Sequence, residues 1–246
     1  RYVPMILPNG RSLHGINDAS IRIGLRLSKD ETIVRMPFEV RHMGSKYPIF
    51  SFDFTGAKRG VLPASYDYLR LEGRMQYRLN LPPIGYSQLM LEGGKIFGKV
   101  PYLLLKLHEG NGTYFYDRYA FSCMNFYEFS SDAWISFFYE HHFNGFLLGR
   151  VPLLKKLNWR EVFVFKGVYG TLSARNDGSL PNTKAVMLFP VGMSSVEHPY
   201  LETGFGIENI FRLLRVDCIW RLTHHRAVPG LSIPTFTVNF SLNLKF

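Results

Sequence analysis

The feature that most constrains this chain is alternation with a period of two. From Tyr68 to Leu79, one side reads Leu69, Leu71, Gly73, Met75, Tyr77 and Leu79. The other reads Tyr68, Arg70, Glu72, Arg74, Gln76 and Arg78. Neighbouring side chains of a strand point to opposite faces, so such a segment is extended, apolar on one face and charged on the other. The last residues repeat the pattern: Phe236, Val238, Phe240, Leu242, Leu244 and Phe246 alternate with Thr235, Thr237, Asn239, Ser241, Asn243 and Lys245. Ile21, Ile23, Leu25 and Leu27 alternate with Ser20, Arg22, Gly24 and Arg26, and Phe50, Phe52 and Phe54 with Ser51 and Asp53.

Weaker strand signals lie at residues 33–41, 86–97, 118–129, 133–143, 160–173, 200–208 and 216–224. The count is about 11–12 strands, many near or above the roughly nine to eleven residues that a tilted strand needs to cross a bilayer. Turn chemistry separates many of them, at Asn9-Gly10, Ser28-Lys29-Asp30, Gly110-Asn111-Gly112, Asn176-Asp177-Gly178 and Pro229-Gly230. Three segments resist the scheme. Residues 100–107 and 152–157 are short apolar runs that suit turns of helix within loops. In 206–215, Ile207, Ile210, Phe211 and Leu214 fall at helical spacing, so a helix is an alternative there.

Composition narrows the class. Aromatic residues make up 15% of the 246, which excludes a disordered chain. No run of apolar residues is long enough for a membrane-spanning helix. The two cysteines, Cys123 and Cys218, are too few for a disulfide scaffold and lack metal spacing. No signal segment follows Arg1, so the chain reads as a mature protein or, preferably, as one domain, residues 1–246, forming the C-terminal portion of a longer protein.

Alternation alone also fits a water-soluble sandwich with its apolar residues turned inward. Strand length favours the membrane, because soluble strands cluster at about five or six residues. So do the four charges in one row between Arg70 and Arg78, which suit a wet lumen. The aromatic residues gathered from Tyr114 to Trp134 suit the girdles at the lipid–water boundaries. The fold expected is therefore all-β, an antiparallel transmembrane β-barrel. Unpaired backbone in hydrocarbon is so costly that the wall should close.

Three long segments carry a family resemblance: "LHEGNGTYFYDRYAFSCMNFYEFSSDAW" (107–134), "EHHFNGFLLGRVPLLKKLNWREV" (140–162) and "PYLETGFGIENIFRLLRVDCIWRL" (199–222). Together they resemble a Bacteroidota outer-membrane family of unknown function, in which a carboxypeptidase-regulatory-like domain precedes a C-terminal barrel region. The resemblance is close over residues 85–246 and looser before. More distantly, the order Gly93-Gly94, Arg118-Tyr119, Gly204, Gly206 and Arg215-Val216-Asp217 is similar to the surface-antigen superfamily of outer-membrane assembly and translocation barrels. That likeness implies a wall of about sixteen strands, a size within the known range. It also implies an inward-folding loop whose arginine locks against the wall. Arg118 is the matching candidate, although Asp117-Arg118-Tyr119-Ala120-Phe121 lacks the glycine that follows the arginine in that superfamily. The terminal face of Phe236, Val238, Phe240, Leu242, Leu244 and Phe246 resembles the C-terminal signal read by outer-membrane assembly machinery.

No catalytic or cofactor constellation emerges. His141-His142 and His224-His225 are adjacent pairs, which on a strand point apart and cannot share one metal ion. Gly204-Phe205-Gly206 lacks the third glycine and the βαβ context of a dinucleotide loop. Glu202 and Glu208 lie about 20 Å apart at strand rise, too far for shared acid–base work. The net charge of +10 is spread along strand faces and turns, so no nucleic-acid stripe forms. Arg70, Glu72, Arg74 and Arg78 are the candidate lumen lining. Lys155, Lys156 and Arg160 either meet acidic headgroups or are solvated turn charges.

The function expected is non-enzymatic: a barrel for outer-membrane protein assembly or translocation, partnered by outer-membrane lipids, lipopolysaccharide included, and by client proteins. The alternatives are a passive anion-selective pore and a soluble β-rich binding protein.

Overall fold

The computed structural model describes residues 5–242 apart from 37, 43, 62, 180–183 and 227–231. It is all-β. One sheet of nine strands dominates, and each strand pairs antiparallel with its neighbours in the sequence. In chain order these are β1 (Ile21–Leu27), β2 (Ile49–Ala57), β3 (Tyr68–Asn80), β4 (Tyr86–Gly98), β5 (Ala133–His142), β6 (Arg160–Thr171), β7 (Tyr200–Ile210), β8 (Leu214–Arg221) and β9 (Phe236–Leu242). β3 and β4 each run 13 residues, β6 12 and β7 11. The sheet is open, with β1 and β9 at its two edges.

Register aligns the alternating residues into two continuous faces. Arg74 sits opposite Glu92, Glu92 opposite Ser136, Lys166 opposite Glu202, and Glu202 opposite Arg221. One face therefore carries charged and polar side chains on strand after strand, with apolar ones such as Met90, Phe138 and Val168 between them. The reverse face carries Ile23, Phe52, Leu71, Leu91, Phe137, Phe165, Phe205, Trp220 and Phe240. Burial runs opposite to that of a water-soluble sheet. Ile23 is 66% exposed and Phe205 59%, whereas Glu202 and Asp217 on the polar face are wholly covered.

The cover is supplied by the connections, above all residues 99–132 between β4 and β5. Phe121, Met124 and Phe129 of this loop pack with Met90, Phe138, Val168 and Tyr200 of the wall. Three short strands, Lys106–Leu107, Phe129–Ser131 and Ser194–Ser195, form a small separate sheet beside it.

Several expectations need correction. Among the described residues nine strands join the main sheet, fewer than the 11–12 expected, and the sheet is open. The 33–41 signal folds as a separate hairpin, Ile33–Arg35 with Val40–His42. Most of the 118–129 signal is part of the inward loop, where Phe121 is held by packing against the sheet and only Phe129 joins a ladder. Several aromatic residues assigned to the girdles lie inside: Phe129 and Trp134 are buried, and the Trp134 ring sits 5.4 Å from the Arg70 guanidinium. No helix forms in 206–215. β7 continues to Ile210, and Asn209, Phe211 and Arg212 turn the chain with φ of 68°, 49° and 66°. Gly206 belongs to the wall, where a Cβ would collide with the Asp217 carboxylate on β8. Pro152–Lys155 is one turn of helix and Tyr102–Leu104 a 3₁₀ turn, as their sequence suggests.

Candidate functional site

The site lies where the inward loop meets the polar face of β5 to β9. Glu140 is at its centre. β5 alternates Trp134, Ser136, Phe138, Glu140 and His142 toward the polar face, so the carboxylate points under the loop. Arg118 Nε donates to Glu140 Oε2 at 2.8 Å, and Arg215 Nη2 donates to Oε1 at 3.2 Å. The Tyr116 hydroxyl also donates to Oε1. His142 sits between this carboxylate and Glu208, with Nδ1 3.2 Å from Glu208 Oε2. Arg215 is fixed in turn by Asp217, two residues along β8, through a 2.7 Å bond from Nε to Oδ2. Buried carboxylates without partners cost several kcal/mol each, and this ring of cations compensates them.

Further contacts hold the loop backbone. Lys166 on β6 donates to the carbonyls of Asp117 at 2.7 Å and Ala120 at 2.6 Å. Glu202 on β7 accepts from the amides of Ser122 at 2.9 Å and Cys123 at 2.7 Å. The Tyr116 ring centre lies 4.5 Å from Lys166 Nζ and 4.4 Å from the Arg215 guanidinium. Arg221 on β8 bonds the Cys123 carbonyl at 3.1 Å and Glu128 at 2.5 Å. Burial, then the nearby Glu202, pushes the Cys123 thiol up to about 12. Burial, reinforced by Lys106, holds the His108 imidazole down to about 3, and its Nε2 lies 2.9 Å from Ser131 Oγ.

The loop also reaches the edge strand. The Tyr116 amide donates to the Phe240 carbonyl and the Phe240 amide to the Tyr114 carbonyl, both at 2.7 Å. Asn239 Nδ2 adds a bond to the Thr113 carbonyl at 3.1 Å. The loop thus bridges β9 in a parallel sense at Phe115 and Phe240.

Arg70, Glu72, Arg74 and Arg78 all lie on the polar face of β3, away from this ring. Arg70 pairs with Glu72 at 2.7 Å and Arg74 with Glu92 at 2.6 Å, and the Arg78 guanidinium sits 4.1 Å over the Tyr86 ring. Two cavities flank them. One of about 280 Å³ is lined by Arg74, Glu92, Lys106, His108 and Asp117. A second, of about 830 Å³, is lined by Lys46, Gln76, Arg78, Gln88 and Arg118. Phe236, Phe240 and Leu242 are exposed on the apolar face and Val238 is half-buried there, while Leu244 and Phe246 lie outside the described residues. Sequence reasoning did not single out Glu140 or Lys166, and it assigned Tyr116 to the girdle aromatics, whereas its hydroxyl bonds Glu140. The available signal was a lone charge set in an apolar strand, as with Lys166 between Val164 and Val168 on one face.

The residues described form no group of three or more side chains suited to a metal ion. Fold and site together define a class: an all-β, antiparallel protein whose charged sheet face is covered and pinned by its own loop. Residues 13–174 match the model for the C-terminal domain of the family of unknown function DUF5686, and the chain belongs to that family. The match begins at Leu13, takes in the inward loop, and ends before β7. A search of curated proteins finds no match.

Proposed function

We propose that this chain forms part of the wall of an outer-membrane β-barrel that assembles or translocates proteins, with residues 99–132 as a plug latched from inside. The observation that carries this reading is the inverted sheet: nine strands share a continuous apolar face open to the surroundings and a charged face covered by loops. In water such a face would be an aggregation surface, and in a bilayer it is the solvent-matched side.

The open edges fit a larger barrel. All neighbours are antiparallel and nine is odd, so β1 and β9 run in the same direction. An all-antiparallel closed wall therefore needs an odd number of further strands, a condition that about sixteen in total satisfies. Arg118 supplies the lock through Glu140 despite the missing glycine. A passive anion pore fits less well, because Arg70 and Arg74 are neutralised by Glu72 and Glu92 and the loop fills the space beside β5 to β8. The partners of this reading are outer-membrane lipids and client proteins.

Trp220, on the apolar face of β8, tests the wall. With Trp134 and Trp159 replaced by phenylalanine, its fluorescence should be quenched by lipids brominated along their acyl chains and not by aqueous iodide. Quenching by iodide alone would refute the membrane reading.

A further inference from the structure

At one rim of the sheet, two neighbouring connections project together. Residues 143–159 join β5 to β6 through a 3₁₀ turn at Leu148–Arg150 and the helical turn Pro152–Lys155. Residues 211–213 join β7 to β8, and β6 pairs with β7. Asn209 Nδ2 bonds the Asn158 carbonyl at 2.7 Å, so the two turns form one surface. Glu161 accepts the Leu148 amide and fixes the first turn to the wall.

This surface is apolar and cationic at once. Leu147, Leu153, Leu157, Phe211 and Leu213 are exposed, Leu153 by 79% and Phe211 by 87%. Among them stand Arg150, Lys155, Lys156 and Arg212, also exposed. Among the described residues none of these four has an ion pair, and Arg150 lies 4.0 Å over the Phe146 ring. Residues 143–159 contain no Asp or Glu, nor do 209–214. A water-facing turn gains nothing from leucines this exposed, whereas apolar tips ringed by cations match the boundary between acyl chains and anionic headgroups.

We propose that these linked turns dock on anionic glycerophospholipid headgroups, with Leu153 and Phe211 entering the acyl boundary and the four cations engaging phosphates. The leaflet follows from loop lengths. The opposite rim carries the long connections 99–132 and 172–199, and outer-membrane barrels turn their shorter connections toward the periplasm, where the leaflet is glycerophospholipid. The inference rests on the lipid-facing wall, but its test separates the two.

The test purifies the protein from mixed phosphatidylethanolamine and phosphatidylglycerol membranes and measures the retained lipids by native mass spectrometry. A cation near an anionic surface is worth about fivefold in binding, so K155E/K156E should lower the phosphatidylglycerol enrichment by about 25-fold or more. The variant should keep Trp220 quenching by brominated lipid, because both lysines lie outside the strands. Unchanged enrichment in the variant, with quenching intact, would overturn the docking surface alone. Loss of quenching in the unaltered protein would overturn the wall and this inference with it. In membranes that also hold lipid A, enrichment of lipid A through the same lysines would overturn the choice of leaflet.

Discussion

Replacing Glu140 with alanine removes the one carboxylate that takes both Tyr116 and Arg118 from the loop. Hydrogen bonds to a charged group are worth about 1.5–3 kcal/mol each. The Arg118 side chain is 38% exposed, so its share is discounted toward the surface value of about 1 kcal/mol or less. Arg215 keeps Asp217 and adds little to the loss. The expected cost to loop docking is then about 3 kcal/mol, a shift of about a hundredfold in the docked-to-released ratio. Cys123 is a native reporter, since its side chain is fully covered in the docked loop. Its thiol, raised to about 12, is almost wholly protonated at neutral pH. In a Cys218→Ser background, labelling of Cys123 by a soluble maleimide reads out release, and Glu140→Ala should speed it about a hundredfold. Labelling at the unaltered rate, in protein that keeps its sheet by circular dichroism, would refute the idea that Glu140 latches the loop.

Two further outcomes bear on the wall and on the loop. Phe205→Arg, on the apolar face of β7, should lower the urea-unfolding stability in lipid vesicles by about 2–4 kcal/mol if the site lies near the bilayer midplane. A change within about 0.5 kcal/mol, as for an ordinary water-facing position, would count against that placement. His108 should make loop docking sensitive to acid. Its docked value of about 3 lies below the ordinary 6.5, so between them the released loop binds a proton that the docked one refuses. Docking is full above pH 6.5 and weakens by about 1.4 kcal/mol per pH unit below it. Hydrogen exchange at residues 121–124, corrected for intrinsic rates, should show this weakening, and His108→Gln should abolish it.

The strands of the main sheet were legible because their information is local. Alternation in β1, β2, β3 and β9 places each residue on its face without knowledge of any partner, and the bounds of β4 and β5 differ by only a residue from the sequence reading. The loop was not legible, because what holds it comes from far along the chain. Arg118 and Glu140 are 22 residues apart, Glu140 and Arg215 75, and Cys123 and Glu202 79. An aromatic-rich stretch such as 118–129 looks like a strand until Phe138, Val168 and Tyr200 offer it a surface to pack against. The spacing of Ile207, Ile210, Phe211 and Leu214 suggested a helix, yet Phe211 is exposed at the tip of a turn. Three positive φ angles there are backbone facts that side-chain spacing does not encode.

The bridge between Phe115 and Phe240 has a consequence for how this sheet can grow. Another segment joining on that flank would pair with peptide groups on the outer margin of β9, and at Phe240 both are already taken by Tyr114 and Tyr116. A newcomer zipping along β9 must evict those two residues when it arrives at that point. The same movement would tug on Tyr116 and, through it, on the carboxylate two strands deeper than β7. Adding a strand at this edge of the sheet and freeing Tyr116 from Glu140 are therefore coupled movements.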